Sequence, residues 1–523
     1  MMCVYNYFKK GKKLFALFIL CSLLFSLVAE EASPLVPQES SIGITDGSLI
    51  SSDTSKSQEY PVDSSKEAES VLSEGVTLQP PDFQNQPTLP QIRKPTPLNH
   101  VLAFGEALTS NVALALINRY IRKAPYAYIS WDSIYKNLTN PWVWDQDEFA
   151  VNHFGHPYQG SYYYIAGAAN NLPFWESALV TITGSATWEL FAETETPSYN
   201  DIIATTMGGI ALGEILHRLH FATKSMPILS FLLSPMDSIN TLITGKPANT
   251  PNGSIYAMDT TMLFGFMADS LTIAGNTYSG EKIFRPFYLG AGIHLIYGDP
   301  YALVTTTPFT HFTLNLKGSI AKDYYDVSLF TDGVLLSFAP WERKNIKTTM
   351  GLTLHYDAII SSDLNYSANS LAFTTKQNIN LPHNWNIQWN THLNWILLSA
   401  SDFYFLFSGV VPNPTPDVEN RLYDLGTGLG TKLYFSVSQP LFGTFSFFYL
   451  FNALWTVKPS LPKGGSAGNS LIGMGNVSYE HKIFGNTSLG IEYSSYLKNA
   501  HYKTADNTFE FNQFLNFFVR TRY

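Results

Sequence analysis

The sequence predicts an α+β membrane protein: an antiparallel transmembrane β-barrel of about twelve strands preceded by a small helical domain. Three observations predict it. The 523 residues are 45% hydrophobic and 15% aromatic but only 14% charged, where an ordinary soluble domain carries roughly 25% charged residues. From about Ser254 the chain alternates apolar and polar residues in long segments separated by turn-rich stretches. The last of these segments runs to Tyr523 and stops on an aromatic ring. A net charge of −9 excludes a nucleic-acid binder, because a phosphate backbone needs a basic surface. No uninterrupted apolar run of roughly 18 residues follows the amino terminus, so a helical-bundle membrane protein is not expected.

Residues 1–29 read as a secretory signal peptide. Lys9, Lys10, Lys12 and Lys13 precede an apolar run from Leu14 to Ala29, and cleavage is expected after Ala29. Bulky Leu20 argues against lipidation of Cys21. Cys3 and Cys21 are the only cysteines, so the mature chain has no thiol, as suits passage through an oxidising periplasm. Removing the four lysines takes the net charge from −9 to −13. Residues 30–96 are Ser-, Pro- and Glu-rich, and Glu30 to Lys94 holds eleven acidic and four basic residues. Such a segment buries too little apolar surface to offset chain entropy and is expected to be a disordered tether.

Residues 254–523 carry the barrel signal. Met350, Leu352, Leu354, Tyr356 and Ala358 share one face, with Thr353, His355 and Asp357 on the other. Phe312, Leu314 and Leu316 alternate with Thr313, Asn315 and Lys317. Ile387, Trp389, Thr391, Leu393, Trp395 and Leu397 oppose Gln388, Asn390, His392 and Asn394. Leu425 to Val437 sets Asp424, three glycines and Lys432 against apolar odd positions. Period two with one apolar and one polar face means strands, here long enough to cross a bilayer at a tilt. Phe484-Gly485-Asn486 is a tight turn and Ser401 to Asp424 a long loop, the asymmetry of short periplasmic turns and long outer loops. Phe509, Phe511, Leu515, Phe517, Val519, Thr521 and Tyr523 alternate with Glu510, Asn512, Asn516, Arg520 and Arg522. With Phe517, Val519 and Tyr523 at its end, this segment resembles the terminal strand signal of bacterial outer-membrane proteins. The last strand has to close the barrel and leave no unpaired edge in lipid. About 270 residues at roughly 22 per strand and connection give twelve strands, with ten or fourteen as neighbouring counts.

Residues 97–240 form the helical domain. Helices are expected over Leu98 to Arg122, Phe174 to Glu195 and Ser198 to Leu219, the last two a hairpin broken by Pro197 with Ser198 as cap. Gly208, Gly209 and Gly213 give a small-residue stripe at which another backbone can approach closely. No nucleophile elbow, HExxH pair or nucleotide-binding glycine loop is present.

Within this domain Asn152-His-Phe-Gly-His-Pro-Tyr-Gln-Gly160, Gly184-Ser185, Trp188-Glu189, Glu193, Pro197-Ser198-Tyr199-Asn200-Asp201, Thr205-Thr206, Gly208-Gly209 and Gly213-Glu214 follow in series. The series resembles a bacterial family known as domain of unknown function 3943, over about Val151 to Leu219. The resemblance implies an exported outer-membrane protein and supplies no activity.

The polar members of the series are the candidate site. Glu189 and Glu193 stand four apart on an apolar helix, an arrangement that costs free energy unless a partner, a shared proton or a metal offsets the like charges. His153 and His156 are three apart and can face them, and Glu214-x-x-His217 has helical metal-pair spacing. Asp201 and Glu214 lie about 220° apart around one helix, which argues against a single large site; Asn200 shares the face of Glu214 rather than that of Asp201. The favoured reading is a set of buried hydrogen-bond networks pinning helix ends and the Asn152 to Gly160 turn. A catalytic or metal site and a lipid-headgroup site are the alternatives. Tyr162-Tyr163-Tyr164 is expected at the barrel mouth or membrane interface.

The leading function is a structural or transport-type barrel of the cell outer membrane, the helical domain plugging or capping its periplasmic mouth. The alternatives are a membrane-embedded enzyme acting on lipid or envelope glycan through His153, His156, Glu189 and Glu193, and an envelope assembly or binding module. No cofactor is expected. The expected partners are outer-membrane lipid and, during biogenesis, the barrel assembly machinery; no nucleic acid is expected, and a periplasmic partner is undefined.

Overall fold

The computed structural model describes residues 93–523, apart from 274–275, 279–283, 303, 323, 341, 363, 403–420, 422 and 462–464. The expected signal peptide, both cysteines and nearly all of the tether lie outside the described residues.

Seven α-helices precede the first long strand among the described residues: α1 Pro97–Leu116, α2 Trp131–Thr139, α3 His156–Ala169, α4 Phe174–Phe191, α5 Tyr199–Ala222, α6 Pro227–Leu233 and α7 Pro235–Thr244. Thr96 caps α1 reciprocally with Asn99, and a wider turn, Ile117–Arg122, carries it on to Lys123 in the left-handed region. Ser198 caps α5 by accepting from the Asp201 N–H. The expected Asn152 to Gly160 turn is instead a wide turn, Val151–Gly155, leading into α3. Helices α3 and α5 pack backbone to backbone at Gly160 and Gly209: a Cβ on Gly160 would stand 1.9 Å from the Thr205 carbonyl oxygen.

Twelve long strands follow: β1 Ile255–Ile273, β2 Phe284–Tyr297, β3 Phe312–Ala321, β4 Tyr324–Phe338, β5 Ile346–Ser361, β6 Asn365–Leu381, β7 Trp385–Asp402, β8 Tyr423–Gln439, β9 Gly443–Thr456, β10 Gly468–Phe484, β11 Thr487–Tyr502 and β12 Thr508–Arg522. Each pairs antiparallel with its chain neighbours. β12 returns to β1, with Phe517 opposite Phe264 and Val519 opposite Met262. The ring is therefore a closed up-and-down barrel of twelve strands with no open edge.

Alternation decides the two faces. Met262, Phe264, Leu289, Leu352, Phe373, Leu393, Trp395, Leu429, Leu489 and Leu515 point outward and are exposed. The opposite parity points into the lumen and is buried; it includes the polar His355, Asp357, Lys376, Lys432, Glu480, Lys498 and Asn516 beside apolar Leu450, Leu454, Ile472 and Phe518. Lys317 on β3 reaches Glu492 on β11 at 3.1 Å, four strands away around the ring, so this pair crosses the lumen. Lys376–Asp332 (2.7 Å), Lys432–Asp357 (2.6 Å) and Arg520–Glu480 (3.1 Å) bridge it elsewhere.

The helices pack on the outer face of this wall. Tyr164, Phe174, Ile210, Ile215 and Leu219 share one buried cluster with Ile293, Leu295, Tyr297, Phe312, Leu314, Leu329, Leu354, Tyr356 and Ala358, strand residues of outward parity. The covered band runs diagonally from the start-of-β1 rim at β2 to the opposite rim at β8, where Phe149 meets Leu398, Ala400, Tyr423 and Leu425. This corrects the expectation of a plug or cap on the barrel mouth. The lumen is already filled by its own side chains, paired charges together with buried apolar groups such as Tyr366, Leu450, Leu454 and Ile472, whereas the outward face is open to the helices. Tyr162-Tyr163-Tyr164 also differ from expectation: Tyr163 and Tyr164 are fully buried in the helical domain, where Asn111 and Glu214 accept their hydroxyl protons. Loop lengths follow the expected asymmetry from β9 to β12. They depart from it under the helices, where β3 and β4 are joined by two residues at the far rim.

Candidate functional site

The polar residues of the series gather in two places, at opposite ends of α5. At its amino-terminal end Asp145 is the hub. Asn152 Nδ2 donates to Asp145 Oδ1 at 2.7 Å and Asn200 Nδ2 to the same oxygen at 2.6 Å, while the Asp145 N–H returns a bond to Asn200 Oδ1 at 2.9 Å. Asn200 Nδ2 also donates to Asp201 Oδ1 at 3.0 Å. His156 lies between Thr205 Oγ1, 3.1 Å from Nδ1, and Asp201 Oδ1, 3.6 Å from Nε2. Glu189 Oε2 accepts the Ser198 N–H at 2.8 Å, and Glu193 Oε2 accepts the Trp188 indole N–H at 3.1 Å.

The imidazoles therefore do not turn to Glu189 and Glu193 as their spacing allows. His153 faces the barrel wall instead. Its Nδ1 lies 2.8 Å from Ser367 Oγ, its carbonyl accepts the Tyr356 hydroxyl at 2.6 Å, and its ring clusters with those of Phe149 and Tyr423. Ser367 and Tyr356 are outward residues of β6 and β5, so these bonds join the helical domain to the wall. Tyr423 extends the joint by accepting from Asn152 Nδ2 at 2.9 Å and donating to the Asp147 carbonyl at 3.0 Å. Arg421 donates to the Asp145 carbonyl at 3.2 Å.

Glu193 occupies the α4–α5 connection. Burial, then the neighbouring carboxylates Glu189, Asp147, Asp145 and Glu195, push its carboxyl well above the usual carboxylate range. Among the described residues, buried Glu189 Oε1 and His153 Nε2 find no hydrogen-bond partner. Ser367 and His153 stand at a nucleophile-to-base distance, yet both are enclosed, at 0% and 1% exposure. Among the described residues no three His, Asp or Glu side chains converge as metal ligands.

At the other end of α5, Glu214 accepts from Arg218 Nε at 2.7 Å and from the Tyr164 hydroxyl at 2.6 Å. Arg218 continues to the carbonyls of Asn252 (2.8 Å) and Pro308 (3.3 Å) at the start-of-β1 rim. His217 pairs with Asp237 at 2.9 Å, so Glu214 and His217 take separate partners rather than one ion. On the same helix Gly208 lies against the Pro157 ring and Gly213 against Tyr164, each leaving under 3 Å for an added Cβ. At the closing seam Phe517 stacks on Phe264 with ring centroids 5.4 Å apart, and the Tyr523 N–H donates to the Met258 carbonyl at 2.9 Å.

The residues that sequence reasoning missed are Asp145, Tyr356, Ser367, Arg421 and Tyr423. One signal was present: Ser367 and Asn369 are polar at outward positions of β6, where a wall facing only lipid would be apolar.

Residues 141–228 match the model of a family described as Domain of unknown function (DUF3943), a stretch that contains every polar residue of both clusters except Asp237 and the wall partners. No curated protein matches the chain. Among solved structures the chain is similar to the TodX monoaromatic hydrocarbon channel deltaS2 mutant, at 7% identity and TM-score 0.24, over 54% of this chain and 93% of that one. It is similar to a Pseudomonas aeruginosa FadL homologue at 7% identity and TM-score 0.24, over 51% and 90% of the two chains. A third is the β domain of the Bordetella autotransporter BrkA, at 12% identity and TM-score 0.20, over 50% and 98%. Likeness at these scores carries no argument; the class follows from this chain's own strand pairing and two-faced wall. It is an outer-membrane-type β-barrel carrying a DUF3943 segment on its flank.

Proposed function

We propose that this chain is a structural barrel of the outer membrane, with the helical domain as a fixed lateral module rather than a plug. The observation that carries the reading is where the motif side chains are spent: Asn152 and His153 bond to the wall residues Tyr423, Ser367 and Tyr356, and the others bond within the helical domain. Charged pairs across the lumen support a closed interior over a conducting one. Enclosure of Ser367, His153 and Glu189 leaves the hydrolase alternative with less support, since substrate has no path to them. In this reading the chain is exported by its cleaved signal peptide, the barrel assembly machinery inserts it through β12, and lipid surrounds the exposed outward face. The test is conductance of the purified full chain in planar bilayers. A closed barrel gives no sustained ohmic steps; stable unit steps overturn the closed reading and restore the transport one.

A further inference from the structure

Two helices of the helical domain, α1 and α4, bury polar groups and present apolar ones on their outer faces. Glu106, the only acidic residue of α1, is buried and accepts from Asn240 Nδ2 at 2.9 Å and Asn170 Nδ2 at 3.1 Å. Asn111, also buried, donates to the Gly184 carbonyl at 3.0 Å. The outer side of the same helix shows Leu98, Val101, Leu108 and Val112, and the turn that continues it shows Ile121, 75% exposed. On α4 the pattern repeats, with Ser177, Thr181 and Ser185 buried and Trp175, Leu179 and Ile182 exposed. Exposed hydroxyls are closed onto their own helix: Thr109 donates to the Gly105 carbonyl at 2.7 Å and Thr183 to the Leu179 carbonyl at 2.9 Å. In water none of this is favoured, since exposed apolar surface costs free energy and exposed hydroxyls have solvent partners. In hydrocarbon each feature is required.

Dimensions agree. α1 begins beside Glu176, at the end of α4 whose Phe174 stacks on Phe309 at the start-of-β1 rim. It ends near Tyr126, whose carbonyl accepts the Thr194 N–H at the opposite rim. Its 20 residues span about 30 Å, the thickness of a bilayer core, and with the turn to Arg122 it is long and apolar enough to cross a membrane. At its exit Arg119 lies over the Tyr128 ring at 5.0 Å, with Trp131 and Tyr135 exposed nearby, a cation-and-aromatic belt of the kind that marks a membrane–water interface.

Resting on the barrel reading, we infer that the helical domain is immersed in the bilayer beside the barrel, its outer face taking lipid acyl chains as their partner. The exposed faces of α1 and α4 continue the lipid-facing wall around the helices, so one hydrocarbon belt encloses both parts. The experiment is spin-label accessibility in dioleoylphosphatidylcholine vesicles, on the full chain with Cys3→Ser and Cys21→Ser. Single labels go at Leu108, Val112 and Leu179, with Leu515 on the uncovered wall as reference, each kept only if heat-modifiable migration persists. The expected result is preference for oxygen over a water-soluble nickel chelate by the same factor as at Leu515. Nickel access at the helix positions with oxygen preference at Leu515 overturns the inference and leaves the barrel reading standing. Protection from both quenchers overturns it in favour of a protein partner. Nickel access at Leu515 itself overturns the barrel reading as well.

Discussion

Tyr356 is a residue whose meaning changes with its surroundings. By parity it belongs to the outward-facing row of β5, yet its hydroxyl donates to the His153 carbonyl and its ring is fully buried. Tyr356→Phe removes one buried hydrogen bond and leaves a carbonyl without its donor, at a cost of about 1–3 kcal/mol. A lower unfolding midpoint of the helical signal in circular dichroism is the expected outcome. Ser367→Ala acts in the same direction, with no change in any lipid or glycan product if the pair with His153 is structural. Glu193 gives a pH dependence. Its folded carboxyl titrates above the unfolded one, so the folded state binds more protons between the two values and stability falls as pH rises through that window. Glu193→Gln keeps an oxygen for Trp188 and removes the titration. The thermal midpoint of the variant is expected to fall less between pH 5 and pH 8 than that of the parent, as measured by melting at both values.

At the scale of elements, the two helices of the hairpin were legible because proline and a serine cap punctuate the chain between Phe174 and Ala222. α3 was not. Its Gly160, Gly167 and three consecutive tyrosines weaken both helix propensity and amphipathic period, and tertiary packing forms the helix regardless. The small residues are what let α3 and α5 touch: Gly208, Gly209 and Gly213 face Pro157, Gly160 and Tyr164 in turn. Gly160→Val puts side-chain atoms where the Thr205 carbonyl stands, and α3 has to move off α5. Limited proteolysis is expected to cut the helical region of this variant, while heat-modifiable migration of the barrel persists. Unchanged protease resistance would show that the two backbones can separate at little cost. The alternation of β7 was legible up to Ile396, after which an irregular register moves Leu398 and Ala400 to the outward face. A bulge of this kind depends on the neighbouring strands and leaves no period in the sequence.

For the whole molecule the lumen pairs decide stability in a way that single residues do not. Lys317 and Glu492 are 175 positions apart in the chain and meet across the lumen. Lys317→Met leaves Glu492 with less compensation; with the lysine side chain 34% exposed, solvent screens the pair and the loss is expected to be well below the ~3–5 kcal/mol of a fully buried pair. Adding Glu492→Met is expected to recover most of that loss, because two apolar groups of similar size carry no unpaired charge. The unfolding midpoint of the barrel in urea for the single and double variants measures this. A double variant as unstable as the single one would place the penalty in packing.

Much of the barrel was present in the sequence because a two-sided wall imposes a period of two on every strand, and β12 had to carry the closing pattern of Phe517 and Val519. The separation of Asp201 from Glu214 was equally legible, as helix geometry alone turns them apart. Where the helices sit was a tertiary matter. His153 and Ser367 lie 214 residues apart, and neither has a local pattern that announces the other. Sequence determined that this chain builds a wall with one apolar face, because alternation is a local property of the strand. Only the folded molecule decided that part of that face is covered by helices, because burial there depends on which distant surfaces fit together.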